Sequence, residues 1–184
     1  DYSVVRRAID MGPCGLMFPC VDCAQQLDEV QKAVWLPPRG QRRPGGPGNQ
    51  WMSDFQYETW RRDFEQHLII LPQIESKTGL DNVNEIVAHE LVTALAVGPY
   101  DLSADLGCCW DPNSPAYQHA MNRLRSASYL AGKALWMIGD APELASQGYT
   151  FICAGEPSQM LSNVMQATVQ ATSRRSEESD RSTN

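Results

Sequence analysis

Apolar residues along this chain follow two rhythms: short unbroken runs, then steps of three and four. Gly15-Leu16-Met17-Phe18-Pro19 predicts a strand, and Ala24, Leu27, Val30 and Val34 then mark one face of a helix. The run His67-Leu68-Ile69-Ile70-Leu71-Pro72-Gln73-Ile74 is the clearest buried strand, and its continuous apolar character suits a parallel sheet covered on both faces. Leu80, Val83, Ile86 and Val87 give the next helix, and 92–97 a third strand that closes on Gly98-Pro99. Residues 117–130 read as helix, 134–138 as a fourth strand, 142–146 as a short helix and 150–154 as a fifth strand. Pro157 opens a last helix with Met160, Leu161, Val164, Met165 and Thr168 on one side.

About five β-α units in succession predict an α/β fold with a parallel sheet. An open doubly wound sheet and a (β/α)8 barrel both satisfy that pattern. No G-x-G-x-x-G follows any strand, so the dinucleotide fingerprint is missing. A whole barrel takes about 250 residues, more than the 184 present, and periodicity leaves the choice open. Residues 1–172 are expected to form one domain, and the Ser/Arg/Glu-rich stretch 173–184 a disordered tail. Residues 37–55 carry Pro37-Pro38-Arg39-Gly40-Gln41-Arg42-Arg43-Pro44, which reads either as a basic linker or as a lid or subunit contact.

Charge and composition narrow the functions. A net charge of −7 and a pI near 4.9 argue against broad binding to nucleic acid or anionic membrane. The longest apolar runs are too short to span a bilayer. The chain opens on Asp1 rather than Met, so its natural N-terminus can lie further upstream. Six cysteines include one C-x-x-C, Cys20 to Cys23, without a second pair of matching spacing for zinc. Free thiols in a reducing cytoplasm are the expectation, with a zinc or redox protein the weaker alternative.

The chemistry-bearing residues gather at strand ends. Gln73-Ile74-Glu75 ends one strand and Gly98-Pro99-Tyr100-Asp101 follows the next. Ligands of parallel α/β folds bind at that C-terminal edge. Neighbouring strands lie about 4.8 Å apart, so Glu75 and Asp101 can meet on one divalent cation. Two carboxylates, with water and substrate oxygens completing the shell, suit Mg²⁺ or Mn²⁺, with Co²⁺ also accepted. Gln73 shares the strand parity of Glu75 and can hold a ligand oxygen or water. The backbone N–H groups of Tyr100 and Asp101 can cradle a carboxylate. The competing reading is that both acids merely cap the helices after them. His67 at the start of its strand, His89 at a helix end and His119 within a helix are poor candidates for a general base.

At this point the residues resemble a known family, the HpcH/HpaI aldolase/citrate lyase family of metal-dependent pyruvate aldolases. The matches are Ala8-Ile9-Asp10-Met11-Gly12 with Gly15 to Pro19, then Pro37-Pro38-Arg39-Gly40-Gln41-Arg42. Next come Pro72-Gln73-Ile74-Glu75-Ser76 and Gly98-Pro99-Tyr100-Asp101-Leu102-Ser103-Ala104-Asp105-Leu106-Gly107, then Gly132-Lys133 and Gly148-Tyr149-Thr150-Phe151-Ile152. The stretch Pro72 to Ser76 also looks like fungal macrophomate synthase. The resemblance implies a (β/α)8 barrel of the phosphoenolpyruvate/pyruvate type, of which about the last five units are here. It implies a carbon–carbon lyase in which Glu75 and Asp101 hold the metal and a pyruvate or oxaloacetate-like 2-keto acid chelates it. The ion would stabilise enolate charge, Gln73 would lie near the ligand, and Gly98, Pro99, Tyr100 and Asp101 would bind its carboxylate. Oxaloacetate decarboxylation and homo-oligomers, hexamers or trimers of dimers, are further implications.

The departures are informative. Family members carry about three further units before the point where this chain starts, and the histidine base and carbonyl-binding arginine lie there. Neither can be matched. Arg43 stands in place of a usual glycine, and Pro13 of a usual alanine. The chain is thus either part of a longer enzyme or a truncated paralogue that acts by binding or oligomerising. The acceptor aldehyde and the physiological metal are not legible in the sequence.

Overall fold

The computed structural model describes residues 1–44 and 56–182, with side chains as far as Thr172. Contacts divide the chain into two compact units, Asp1–Trp136 and Met137–Asn184. In the first, α1 (Tyr2–Asp10), β1 (Gly15–Phe18), α2 (Ala24–Val34), α3 (Tyr57–His67) and β2 (Ile69–Ile74) come first. They are followed by α4 (Lys77–Asp81), α5 (Val83–Ala88), β3 (Ala94–Val97), α6 (Pro99–Asp105), α7 (Pro115–Leu130) and the start of β4 (Ala134–Ile138). Strands β1 to β4 are neighbours in sequence order, and each registered pair is parallel.

The register explains the apolar runs. Gly15 faces Ile69 across the first pair and Phe18 faces Pro72. An added Cβ on Gly15 would lie 2.5 Å from the carbonyl oxygen of Ile69, so the strands approach this closely only with glycine there. Pro72 has no N–H to give a ladder. It stands where the β1 pairing ends and the pairing of Gln73 with Ala96 begins. All four residues of β3 are buried, as a parallel strand covered on both faces requires.

A core of Ile9, Val34, Trp35, Leu68, Ile70 and Leu91 joins the helices to β2, with Phe18, Val30 and Phe64 packed against it. Arg42 is buried at its margin, its guanidinium 4.4 Å over the Phe64 ring and 3.2 Å from Asp10. Burial pushes the Arg42 pKa down, and the hydrogen bond and charge of Asp10 oppose that shift. Two sequence motifs separated by the whole of β1 and α2 therefore meet in one ion pair. Arg39 stacks 3.5 Å over Trp35 and pairs with Glu65 at 3.0 Å and Glu90 at 3.2 Å.

In the second unit, the end of β4 runs beside β5 (Phe151–Cys153), where the Gly139 N–H donates to the Cys153 carbonyl at 3.1 Å. Between them lies α8 (Ala141–Ser146), started by Asp140, whose carboxylate accepts from the Glu143 N–H at 2.9 Å. The last helix, α9 (Pro157–Ser182), is helical in backbone across 173–182, the stretch whose composition predicts disorder.

The element order follows the sequence pattern, with three additions and some moved ends. Three helices, α1, α3 and α6, were not read from periodicity. His67 ends α3 rather than opening β2, because its ring takes the Asp63 carbonyl at 2.7 Å and keeps the last helical turn closed. The helix expected over Leu80 to Val87 is split at Asn82 into α4 and α5. Of the loop expected over 37–55, residues 45–55 lie outside the described residues.

Candidate functional site

Parallel pairing in register brings the end of β2 against the end of β3. Gln73 faces Ala96 and Ile74 faces Val97, and the Gly98 N–H donates to the Ile74 carbonyl at 3.1 Å. Ile74 is fully buried, whereas Gln73 and Glu75 on either side of it are half-buried, as alternation along a strand dictates.

Gly98 is the floor of this corner. An ideal Cβ there would lie 2.4 Å from Glu75 Oε2, 2.7 Å from Glu75 Cβ and 2.8 Å from Gln73 Nε2. Only a hydrogen leaves room for both side chains. Pro99, with its preset φ, then starts α6 at the first helical position. The first bond along that helix is from the Leu102 N–H to the Gly98 carbonyl, 2.9 Å, so the N–H groups of Tyr100 and Asp101 precede it. Asp101 is exposed in this first turn.

Glu75 does not cap the helix that follows it. Ser76 does, its hydroxyl accepting from the Gly79 N–H at 2.9 Å while donating to Asp22 in a short contact. Nor does Asp101 cap α6, where Gly98 is the cap. The helix-capping reading of the two acids therefore fails, and both remain at the sheet edge without that structural duty.

A residue that sequence reasoning set aside also lies here. Cys20, just past β1, donates its N–H to Glu75 Oε1 at 2.7 Å, and its thiol lies 3.1 Å from the same oxygen. The hydrogen bond and charge of Glu75, followed by burial and by Asp22 and Asp101, push the Cys20 thiol up. Asp101 is thus within electrostatic reach of the Cys20–Glu75 contact. The signal was available: β1 ends at Phe18 beside β2, so the residues that follow belong to the same edge.

The donor chemistry at this corner is two carboxylates and an amide, all hard oxygen donors or polar groups. Among the described residues no three His, Cys, Asp or Glu side chains form a metal cluster. A hard cation that accepts water and ligand oxygens fits such a set, and a closed thiolate or imidazole cage is a different chemistry. The histidines stand apart. His67 ends α3, His119 is exposed on α7, and His89 holds Asp28 at 3.2 Å while accepting the Leu91 N–H at 3.1 Å. All six cysteines are free. No helix among the described residues is long and apolar enough to cross a membrane.

The chain is similar to known proteins in sequence and in fold. The chain is 32% identical over 173 residues to a hydroxypyruvate/pyruvate aldolase of Chromohalobacter salexigens, covering 92% of this chain and 68% of that protein. It is 31% identical over 166 residues to a 2-keto-3-deoxy-L-rhamnonate aldolase of Escherichia coli (strain K12), covering 88% of this chain and 62% of the relative. It therefore spans roughly two thirds of the length of such relatives. Among solved structures, macrophomate synthase superposes with a TM-score of 0.82 at 26% identity, over 96% of this chain and 63% of the other. A family protein from Burkholderia cenocepacia J2315 gives 0.82 at 27% identity, over 94% and 70%. The fold is accordingly the TIM-barrel type, represented by five parallel strands and their helices. A sequence model of one family matches residues 2–163, and the chain belongs to that family, HpcH/HpaI aldolase/citrate lyase.

Proposed function

We propose that this chain forms the metal-holding part of a divalent-cation-dependent carbon–carbon lyase acting on pyruvate-like 2-keto acids. The observation that carries the reading is the corner at Gly98, where Gln73 and Glu75 crowd one backbone position three residues before Asp101 in the first turn of α6. The aldolase names of the 31–32% identical relatives support the substrate class.

Glu75 and Asp101 would hold Mg²⁺ or Mn²⁺, and when bound the ion supplies Lewis-acid stabilisation of negative charge on substrate oxygen. The chain's own groups do the rest of the positioning. Gln73 presents an amide N–H that can hold a ligand oxygen or a water. Gly98 and Pro99 keep the backbone close, and the N–H groups of Tyr100 and Asp101 face a substrate carboxylate. Oxaloacetate, a pyruvate with one more carboxylate, suits the same groups, and its decarboxylation is a side activity of this reading. We also propose a homo-oligomer, because α9 leaves Met160, Leu161, Val164 and Met165 exposed on its surface, and a cytoplasmic location, in keeping with the six free thiols.

Deuterium exchange into the pyruvate methyl group tests the proposal, with and without Mn²⁺, read by proton NMR after chelation. Exchange that needs Mn²⁺ and disappears in both Glu75→Ala and Asp101→Ala is expected. Mn²⁺ affinity in each variant should fall by more than about a hundredfold, beyond the loss typical of an outer partner. Metal-independent exchange, or full Mn²⁺ affinity in both variants, refutes the assignment. Tight Mn²⁺ binding without exchange would keep the metal ligands and place proton transfer outside this chain.

A further inference from the structure

We propose that Cys20 is a positioning residue for Glu75, engaging Oε1 with both its backbone N–H and its thiol so that Oε2 is committed to the ligand side of the site. The inference rests on the metal reading above and adds the residue that sets the carboxylate's orientation.

The two oxygens of Glu75 have different surroundings. Oε1 lies 2.7 Å from the Cys20 nitrogen and 3.1 Å from its sulfur. Oε2 is the atom nearest the Cβ position of Gly98, 2.4 Å from it, on the side where α6 begins. Between a thiol and a carboxylate only the thiol can donate, so both Cys20 groups act as donors to one acceptor. A carboxylate held through one oxygen presents the other in a single direction. That restriction suits one-oxygen ligation and opposes a chelating mode.

The segment carrying Cys20 is itself fixed. Cys20 has a φ of 55°, the left-handed region that residues with a Cβ rarely adopt. The Gln26 side chain holds it there, donating to the Cys20 carbonyl at 3.2 Å and accepting from the N–H groups of Asp22 at 2.6 Å and Cys23 at 3.0 Å. The Val21 N–H reaches the Gln73 carbonyl at 3.3 Å, and Asn82 donates to the Asp22 carbonyl at 2.7 Å. The loop is thereby tied to the strand that carries Glu75, and the two Cys20 donors arrive with little freedom left to lose. A side chain without a polar hydrogen would leave Oε1 with the N–H alone.

The test is Mn²⁺ titration followed by electron paramagnetic resonance on the full chain, for wild type, Cys20→Ala and Cys20→Ser, with thermal unfolding as control. The dissociation constant should rise about fivefold in Cys20→Ala and stay within about twofold of wild type in Cys20→Ser, since outer-partner losses run to tenfold or more and a thiol is a weak donor. The Mn²⁺ line shape should change in Cys20→Ala and be restored in Cys20→Ser. Equal affinity and line shape in all three proteins would overturn the inference, as would a serine variant as weak as the alanine variant. A metal-free measurement keeps this independent of the site assignment. The S–H stretching band of Cys20, isolated as wild type minus Cys20→Ser in infrared difference spectra, should move to higher frequency in Glu75→Ala. If wild type binds no Mn²⁺, the metal reading fails while this band still decides the contact: a shift upholds it and an unmoved band overturns it.

Discussion

A methyl group on Gly98 would have nowhere to go, because Glu75 Oε2 already lies 2.4 Å from where its carbon would sit. Gly98→Ala should therefore act on the site and on stability together. The added carbon has to displace Glu75 or part β2 from β3, at a cost of about 1–3 kcal/mol typical of overpacking. We expect a lower urea midpoint and at least about tenfold weaker Mn²⁺ binding, the scale of a disturbed ligand orientation. Unchanged binding in a folded Gly98→Ala protein would place the ligand elsewhere. The residue is legible in sequence as part of Gly-Pro-Tyr-Asp, but its reason is not. A glycine in a turn is ordinarily explained by φ, whereas Gly98 has an unexceptional φ of −95° and is required by a neighbouring strand's side chains.

Among the elements, α4 shows how a short helix is held in place by what precedes it. It has only five residues, too few to be stable alone. Ser76 caps it through the Gly79 N–H and also binds Asp22, next to the Cys20 loop. Gly79 packs under the Val21 carbonyl, where a Cβ would come within 2.7 Å. Ser76→Ala should cost about 1 kcal/mol, the usual worth of an N-cap. Because the Ser76 hydroxyl also holds Asp22, hydrogen exchange should quicken first in residues 20–23 and 77–81. Uniform quickening across the chain would instead mean a global loss. The pattern of the elements was mostly open to sequence reading: β1 to β5 and the principal face of α2 stand where apolar period places them. Helices α1, α3 and α6 were not; in α3, charged residues interrupt the apolar period and no residue is fully buried. Its identity depends on Trp60 and Phe64 stacking at 5.9 Å, with Phe64 packed against the core.

At the scale of the molecule, α9 carries an unpartnered apolar stripe. Met160, Leu161, Val164, Met165 and Val169 of α9 are 53–64% exposed on one helix, more contiguous apolar area than scattered surface residues account for. We expect self-association through this helix. Leu161→Lys with Met165→Lys should lower the mass measured by light scattering to that of the 20.5 kDa chain. Far-ultraviolet circular dichroism should stay unchanged. A wild-type protein that is already monomeric would contradict the expectation.

What the sequence determined by itself is the alternation of buried strand and amphipathic helix, and with it the parallel sheet and its edge of strand-end acids. Both are local properties: an unbroken apolar run or apolar steps of three and four, and a carboxylate a fixed number of residues past such a run. The family resemblance added the barrel type, which the shared fold with macrophomate synthase bears out, whereas periodicity left two architectures standing. Tertiary structure alone decided the rest. It showed that Ser76 and Gly98, rather than Glu75 and Asp101, cap the helices. It also joined Arg42 to Asp10 and brought Cys20 onto Glu75, 55 residues apart. Such contacts depend on strand register and on which turn approaches which edge. Those are set by packing over the whole sheet, so no local window of sequence contains them.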